Sequence, residues 1–146
     1  REVLTQLSDQ QKLHLLQQKY SVWPGTPLDC AADRDHTEII STVLTSLQSS
    51  AYRLTLLMVD EWTPLHSAAR YGHTDSVKMI LDCLTADQQT QIMSARSISG
   101  MTAIQYAKAC GLTDTVRVLR EYQHSADNLM REEYSMLMII IPRCCY

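Results

Sequence analysis

Apolar positions recur along the chain with the spacing of one face of a helix. They fall at i, i+3, i+4 and i+7 in two segments, first at Ile40, Val43, Leu44 and Leu47 and then at Val77, Ile80, Leu81 and Leu84. This is the period of an amphipathic helix. In a third segment the matching positions are Val116, Leu119, Arg120 and Gln123, of which the last two are polar. The pattern predicts three equivalent helices, the last of which has no further helix to cover.

A shorter motif precedes each of these helices and repeats without gaps. Its copies span residues 26–37, 63–74 and 102–113, so their starts are 37 and 39 residues apart. Each copy begins and ends with Thr and has Ala at the same interior position. The first Thr predicts an N-cap, and Pro follows it in two copies at the first helical position. The motif therefore predicts a first helix before each amphipathic second helix.

The end of each first helix also has a recurrent signal. Gly72 and Gly111 lie where a helix ends in a left-handed residue, and Asp35 holds this position in the first copy. The final Thr of each copy is predicted to cap the second helix. Each copy is thus predicted to form a helix pair joined by a tight turn.

The connectors between the copies contain a further repeat. Ser8-Asp9-Gln10-Gln11 and Thr85-Ala86-Asp87-Gln88 both fit a capping box, which predicts an additional short helix in each connector. The connector at residues 48–53 lacks the box and gives the weakest helix signal. Because residues 1–7 align with residues 78–84, we expect the chain to begin within a truncated unit of a longer array. The predicted divisions are 1–25, 26–62, 63–101, 102–123 and a tail at 124–146.

The middle copy resembles the ankyrin repeat. It reads Thr63-Pro64-Leu65-His66-Ser67-Ala68-Ala69 and closes with Gly72-His73-Thr74-Asp75, which is similar to the family signature T-P-L-H-x-A with a later Gly-His. The first copy has Asp29 in place of His, and the third copy keeps Gly111. The spacing exceeds the family period of about 33 residues, and the connector replaces the usual loop. The resemblance implies an all-α solenoid of stacked helix pairs with short turn or hairpin tips.

The resemblance also implies a protein-binding surface on the concave side, which the first helices and the tips form. The candidate contact residues on the first helices are Asp33, Arg34, Arg70 and Tyr71, and those at the tips are Trp23, Glu61, Trp62 and Met101. Tyr and Arg are enriched among residues that dominate binding energy. The alternative is that these side chains are solvated and have no partner. A Trp at a tip can also pack over its own hairpin, which we favour for Trp23.

Composition and charge disfavour several classes of function. The chain has 146 residues, a formal net charge of −3 and no basic stripe, so nucleic acid and polybasic membrane binding are disfavoured. Five cysteines without C-x-x-C predict free thiols in a reducing, cytoplasmic compartment. Cys30, Cys83 and Cys110 are expected to be buried and inert. The ankyrin resemblance implies that His66 lies in the turn and cap rather than at a metal. We find no catalytic, cofactor-binding or metal-ligand motif in the sequence.

The tail contains six consecutive apolar residues at 136–141, too few to cross a bilayer. We favour a cap packed on the last unit over a strand-prone exposed segment or palmitoylation at Cys144 and Cys145. The sequence as a whole predicts a non-catalytic scaffold or adaptor that binds a protein partner. The alternatives are a regulatory ankyrin region of a larger enzyme or ion channel and, less favoured, an enzyme using the Cys and His residues.

Overall fold

The computed structural model describes residues 5–19 and 25–140, with side chains except those of residues 130 and 133–140. These ranges contain α-helices and no strand. The helices are α1 (Asp9–Leu16), α2 (Pro27–Asp33), α3 (Thr37–Ser46), α4 (Ser50–Leu57), α5 (Pro64–Tyr71), α6 (Thr74–Asp82), α7 (Ala86–Ser94), α8 (Ala103–Ala109) and α9 (Thr113–Ile140). The predicted all-α class is confirmed.

The helices stack in three columns. The first helices α2, α5 and α8 pack in chain order, and the second helices α3, α6 and α9 form the next column. The connector helices α1, α4 and α7 form a third column, against which the long helix α9 also packs. Each helix therefore covers the apolar face of its equivalent in the neighbouring unit, as a solenoid requires.

The first helices begin at the predicted caps. Thr26, Thr63 and Thr102 are the N-cap residues, and each forms a capping box with the residue three positions later. The helices end in left-handed residues, because φ is +56° at Asp35, +74° at Gly72 and +70° at Gly111. The tight turn inferred from these positions is therefore confirmed.

The predicted threonine caps of the second helices are wrong. The N-cap residues of α3 and α6 are His36 and His73, neither of which makes a side-chain cap bond, and Thr37 and Thr74 are the first helical residues. The amide of Thr74 donates to the carbonyl of Gly72 at 3.0 Å. The first helical bond runs from the amide of Val77 to the carbonyl of His73 at 3.0 Å, so His73 is the N-cap residue and α6 begins at Thr74.

The apolar stripes form the core. Ile40, Leu44, Val77 and Ile80 are completely buried. In α9, Leu119 is buried, whereas the polar residues at the two following stripe positions, 120 and 123, are exposed. The prediction that this stripe loses its cover toward the end of the stack is confirmed.

The start of α4 is capped by a neighbouring helix. Its N-cap residue Ser49 makes no side-chain cap bond. Instead Oδ2 of Asp9 in α1 accepts from the amides of Gln48 at 2.9 Å and Ser49 at 3.2 Å. A carboxylate there satisfies free amides and complements the helix dipole. The weak local signal of this connector is thus supplemented by a contact about one unit away.

One expectation, on the cysteines, and one alternative, on the tail, need correction. Cys110 is exposed, and Cys30 and Cys83 are half-buried, so the thiols are less buried than predicted. Cys110 lies just before the left-handed residue Gly111. Tyr71 holds the equivalent position before Gly72 in the middle copy and is also exposed. The backbone at 136–140 is helical within α9, which contradicts a strand there. The packed-cap prediction concerns side chains outside the described ones, and residues 141–146, including both final cysteines, lie outside the described ranges.

Candidate partner-binding groove

A groove of about 660 Å³ lies between the tips and the first helices α2 and α5. We call it the tip groove and define it by the residues that line it, namely Lys19, Gly25, Asp29, Asp33, Asp60, Glu61, Trp62, Ser67, Arg70, Tyr71 and Ile98. Its walls come from segments far apart in the sequence. The stacking of α5 on α2 brings these segments together.

Five of the candidate contact residues line this one groove, and two of the others, Arg34 and Met101, do not. Asp33, Glu61, Trp62, Arg70 and Tyr71 line it. Arg34 is exposed outside it. Met101 is half-buried, and its carbonyl lies 3.1 Å from Nε2 of His66. Trp23 lies outside the described residues.

Trp62 is fixed against its own first helix. Its indole Nε1 donates to Oγ of Ser67 at 2.7 Å. Its ring centroid is 5.4 Å from that of His66 and 5.1 Å from that of Tyr106, the latter edge to face. Such contacts hold an aromatic ring in one orientation. Trp62 therefore forms a rigid, half-exposed part of the groove wall.

Arg70 lies over aromatic rings at the mouth of the groove. Its guanidinium carbon is 5.9 Å from the ring centroid of Trp62 and 5.6 Å from that of Tyr71. These distances are typical of cation–π contacts. Both Arg70 and Tyr71 are exposed. The mouth thus presents an ordered cation and an aromatic face to solvent.

His66 links two neighbouring tips. It is completely buried, its Nδ1 accepts from the amide of Thr63 at 3.2 Å, and its Nε2 donates to the carbonyl of Met101 at 3.1 Å. We assign the Nε2–H tautomer from this pattern. Burial lowers the pKa of His66, which favours the neutral ring. The cap role expected for His66 is confirmed, and no cluster of potential metal ligands occurs in the described part of the chain.

Sequence reasoning missed Asp29, which lies on the wall of the groove. It occupies the capping position that His66 and Gln105 hold in the other copies, and only 4% of it is exposed. Its Oδ2 accepts from the amide of Thr26 at 2.7 Å and from the hydroxyl at 2.9 Å. Its Oδ1 is buried and has no hydrogen-bond partner within the described structure. The sequence signal that could have identified Asp29 is that the first copy has Asp where the middle copy has His.

Charge in the groove is unbalanced toward negative. Lys19 and Asp60 form an ion pair at 2.8 Å. Asp29, Asp33 and Glu61 remain, and among the described residues none of them has an ion-pair partner. Burial is the main cause that raises the pKa of Asp29, and the nearby carboxylates of Asp60 and Asp33 raise it further, while both hydrogen bonds from Thr26 lower it. The groove thus contains more carboxylates than its own cations neutralise.

The chain is a helical solenoid with an open groove between its tips and first helices. The family model described as ankyrin repeats (3 copies) matches residues 2–92. The chain belongs to the ankyrin-repeat family. The copy at residues 102–113 lies beyond the matched range.

Two curated relatives share part of the sequence. Protein phosphatase 1 regulatory subunit 12A of Mus musculus and that of Rattus norvegicus are each 29% identical over 77 residues, which is 53% of this chain. The aligned part covers 7% of the length of each relative. Across the described ranges, no helix has both the length and the apolar character needed to cross a membrane.

Proposed function

We propose that this chain is a non-catalytic protein-interaction module that binds a protein partner through the tip groove. The observation that carries the proposal is the convergence of Asp33, Glu61, Trp62, Arg70 and Tyr71 on one groove. Ankyrin repeats are in general protein-interaction modules. Aromatic residues and Arg dominate the binding energy of many interfaces, so this composition suits a docking site.

The groove is also prepared for binding before a partner arrives. Trp62 is held by Ser67, and Arg70 lies over Trp62 and Tyr71. Side chains that are already ordered lose less conformational entropy on association. Arg70 and Tyr71 are exposed and are not needed to cover a neighbouring helix. Their exposure therefore supports a role in recognition.

The wider role that we propose is that of a scaffold or adaptor segment in a reducing, cytoplasmic compartment. Cys30, Cys83 and Cys110 are free thiols, which fits such a compartment. The net charge of −3 disfavours nucleic acid as the partner. We keep the divisions at 26–62, 63–101 and 102–123 as proposed repeat units.

A second candidate is a regulatory ankyrin region of a larger enzyme. The 77-residue likeness to a regulatory subunit of a phosphatase favours it. Here the chain would present its groove to a catalytic partner, and the chemistry would lie outside these residues. Both candidates place binding in the same groove, so they differ in the partner and not in the surface.

Affinity purification with quantitative mass spectrometry tests the groove. The test variant combines Arg70→Ala with Tyr71→Ala, and the matched control combines Arg117→Ala with Tyr52→Ala on exposed positions of α9 and α4 that do not line the groove. We expect the test variant to reduce recovery of a specific partner about tenfold or more, as loss of a hot spot does. Thermal unfolding checks that both variants fold.

The outcome also separates the two candidates. A catalytic phosphatase subunit among the groove-dependent partners would support the regulatory role, and a non-enzymatic partner would support the scaffold. If the test variant retains every partner at the level of the control variant, the groove does not mediate binding and the proposal is wrong.

A further inference from the structure

The tip groove contains a buried carboxylate oxygen with an unused acceptor position. Oδ1 of Asp29 is buried and unpartnered within the described structure, although Oδ2 of the same side chain makes two hydrogen bonds. Buried polar atoms in proteins nearly always have a partner, and leaving one unpaired costs free energy. The orphaned oxygen can therefore accept a further hydrogen bond from a donor outside the described residues.

The equivalent residues of the other copies do not have this feature. His66 uses its second ring nitrogen to bind Met101 at 3.1 Å. Gln105 caps Thr102 at 2.8 Å and is exposed to water. The capping task thus needs only one polar atom of the side chain. The second oxygen of Asp29 is not needed for the cap, and Asp29 is one of the residues that line the groove.

The charges around Asp29 indicate which kind of donor fits. Lys19 is paired with Asp60, and Arg70 lies over the rings of Trp62 and Tyr71. The carboxylates of Asp33 and Glu61 line the same groove. A cation entering it would approach three carboxylates that have no ion-pair partner among the described residues.

We propose that the tip groove receives an arginine side chain of the protein partner, with Oδ1 of Asp29 as its buried acceptor. The inference deepens the proposed function and rests on it. A guanidinium is planar, carries five donors and is weakly hydrated, so it can bind several carboxylates and lie against an aromatic ring. The groove is lined by carboxylates, in Asp33 and Glu61, and by aromatic side chains, in Trp62 and Tyr71.

The rim adds an apolar contact next to this position. Ile98 is 89% exposed and lines the groove, and Tyr71 is 52% exposed. An apolar side chain of the partner that packs on Ile98 and Tyr71 would remove their exposed apolar area from water. The segment that fits the groove therefore carries an arginine close to an apolar residue.

A peptide selection provides the test. A phage-displayed library of random peptides is selected against the full 146-residue chain, and the enriched peptides are synthesised. We expect them to share an arginine. Replacing that arginine by citrulline, which keeps the shape but removes the charge, is expected to weaken binding about 10- to 100-fold, as loss of a charge-assisted hydrogen bond in a desolvated site does. Fluorescence anisotropy measures the affinities.

Asp29→Asn is the matching change in the protein. Its amide oxygen can still accept from Thr26, while its NH₂ group replaces the acceptor Oδ1, so we expect the same 10- to 100-fold loss of affinity. The control is Asp87→Asn, which makes the same charge change in the exposed first turn of α7. Asp29→His is a second variant that keeps the capping box, because His is the residue that caps α5. Thermal unfolding shows whether either variant fails to fold.

The outcomes separate this inference from the proposed function. Equal affinity for the arginine and citrulline peptides, or full binding by Asp29→Asn, would overturn the inference. Selected peptides that lack arginine but lose binding with Arg70→Ala and Tyr71→Ala would leave the groove as the binding site and overturn only the arginine. A library without any groove-dependent peptide would count against both.

Discussion

The guanidinium of Arg53 donates to the carbonyl of Cys83 at 3.2 Å and so joins α4 to the end of α6. Its Nε also lies 2.8 Å from the carbonyl of Leu44 and 2.9 Å from that of Leu47. These carbonyls belong to the ends of helices, where the last carbonyl groups lack intrahelical partners and a cation is favourable. One connector side chain thus caps two second helices.

The residues equivalent to Arg53 in the other two connector helices also donate to carbonyls near the ends of second helices. Lys12 donates to the carbonyl of Ser46 at 2.6 Å, and Gln89 donates to the carbonyl of Leu81 at 2.8 Å. Lys12, Arg53 and Gln89 therefore repeat along the column of connector helices. This contact accounts for how the second helices end without the loop that the family usually has there.

We expect Arg53→Met to destabilise the protein by about 2–3 kcal/mol, because hydrogen bonds to three carbonyls are lost and Met replaces only the apolar stem. Urea denaturation measures the change in the free energy of unfolding. Arg117→Met is the control, since Arg117 is exposed and its contact with Asp114 is at 3.5 Å. An equal effect of both variants would show that the Arg53 contacts contribute nothing specific.

The buried His66 predicts loss of stability in mild acid. Burial lowers the pKa of His66 below its ordinary value of 6.5, so the unfolded chain binds a proton more readily than the folded chain. The contribution of His66 to stability is complete above pH 6.5. It is lost as the pH falls through the lower pKa that His66 has in the folded chain. The free energy of unfolding, measured by urea titration at several pH values, is expected to decrease from pH 7 downward.

His66→Gln tests this assignment. Gln keeps the capping box, as Gln105 does in α8, but cannot be protonated. We expect a loss of about 1–2 kcal/mol at pH 7 from the missing bond to Met101, together with a flatter pH dependence. His14→Gln, at an exposed position, is the control and should keep the pH dependence of the parent chain. A similar flattening in both variants would remove His66 as the cause.

The buried Asp29 predicts a change of stability with pH opposite to that caused by His66. Burial raises the pKa of Asp29 above its ordinary value of 3.8, so the folded chain retains this proton to a higher pH than the unfolded chain does. The contribution of Asp29 to stability is complete below pH 3.8. It is lost as the pH rises through the higher pKa that Asp29 has in the folded chain. We expect Asp29→Asn to gain stability relative to the parent chain as the pH rises from 3.5 to 7, by urea titration. Asp87→Asn should show no such trend, and a falling difference for Asp29→Asn would show that the buried charge is stabilised.

Gly72 and Gly111 form a matched pair for backbone strain. Both have positive φ, but a Cβ at Gly72 would lie 3.1 Å from Cδ2 of Leu112, whereas a Cβ at Gly111 would meet no atom within 4 Å. Gly111→Ala is expected to cost about 1 kcal/mol from the left-handed backbone. Gly72→Ala is expected to cost about 0.5–1 kcal/mol more from crowding. Thermal unfolding of both variants compares them, and an equal cost would show that Leu112 moves aside freely.

The local features of this fold were predictable from the sequence. Thr63 and His66 are three residues apart and form their capping box within one helical turn. Gly72 ends α5 because a left-handed residue is needed within the same turn. Such contacts depend on spacing alone, so the repeat pattern contained them.

The misplaced caps of α3 and α6 mark the limit of this approach. Thr37 and Thr74 have the right residue type for a cap, but the carbonyls of His36 and His73 accept the first helical bonds, so each helix begins one residue earlier than predicted. The cap of α4 by Asp9 joins residues 39 and 40 positions apart. No local pattern identifies that partner.

The sequence by itself determined the helix pairs, their turns and the order of the stack, because capping and apolar periodicity act over a few residues. The tertiary structure alone decided that one oxygen of Asp29 has no partner among the residues it describes and that Asp29 shares a groove with Trp62 and Arg70. Burial and hydrogen-bond satisfaction depend on which helices pack side by side, and these properties arise only when the units stack.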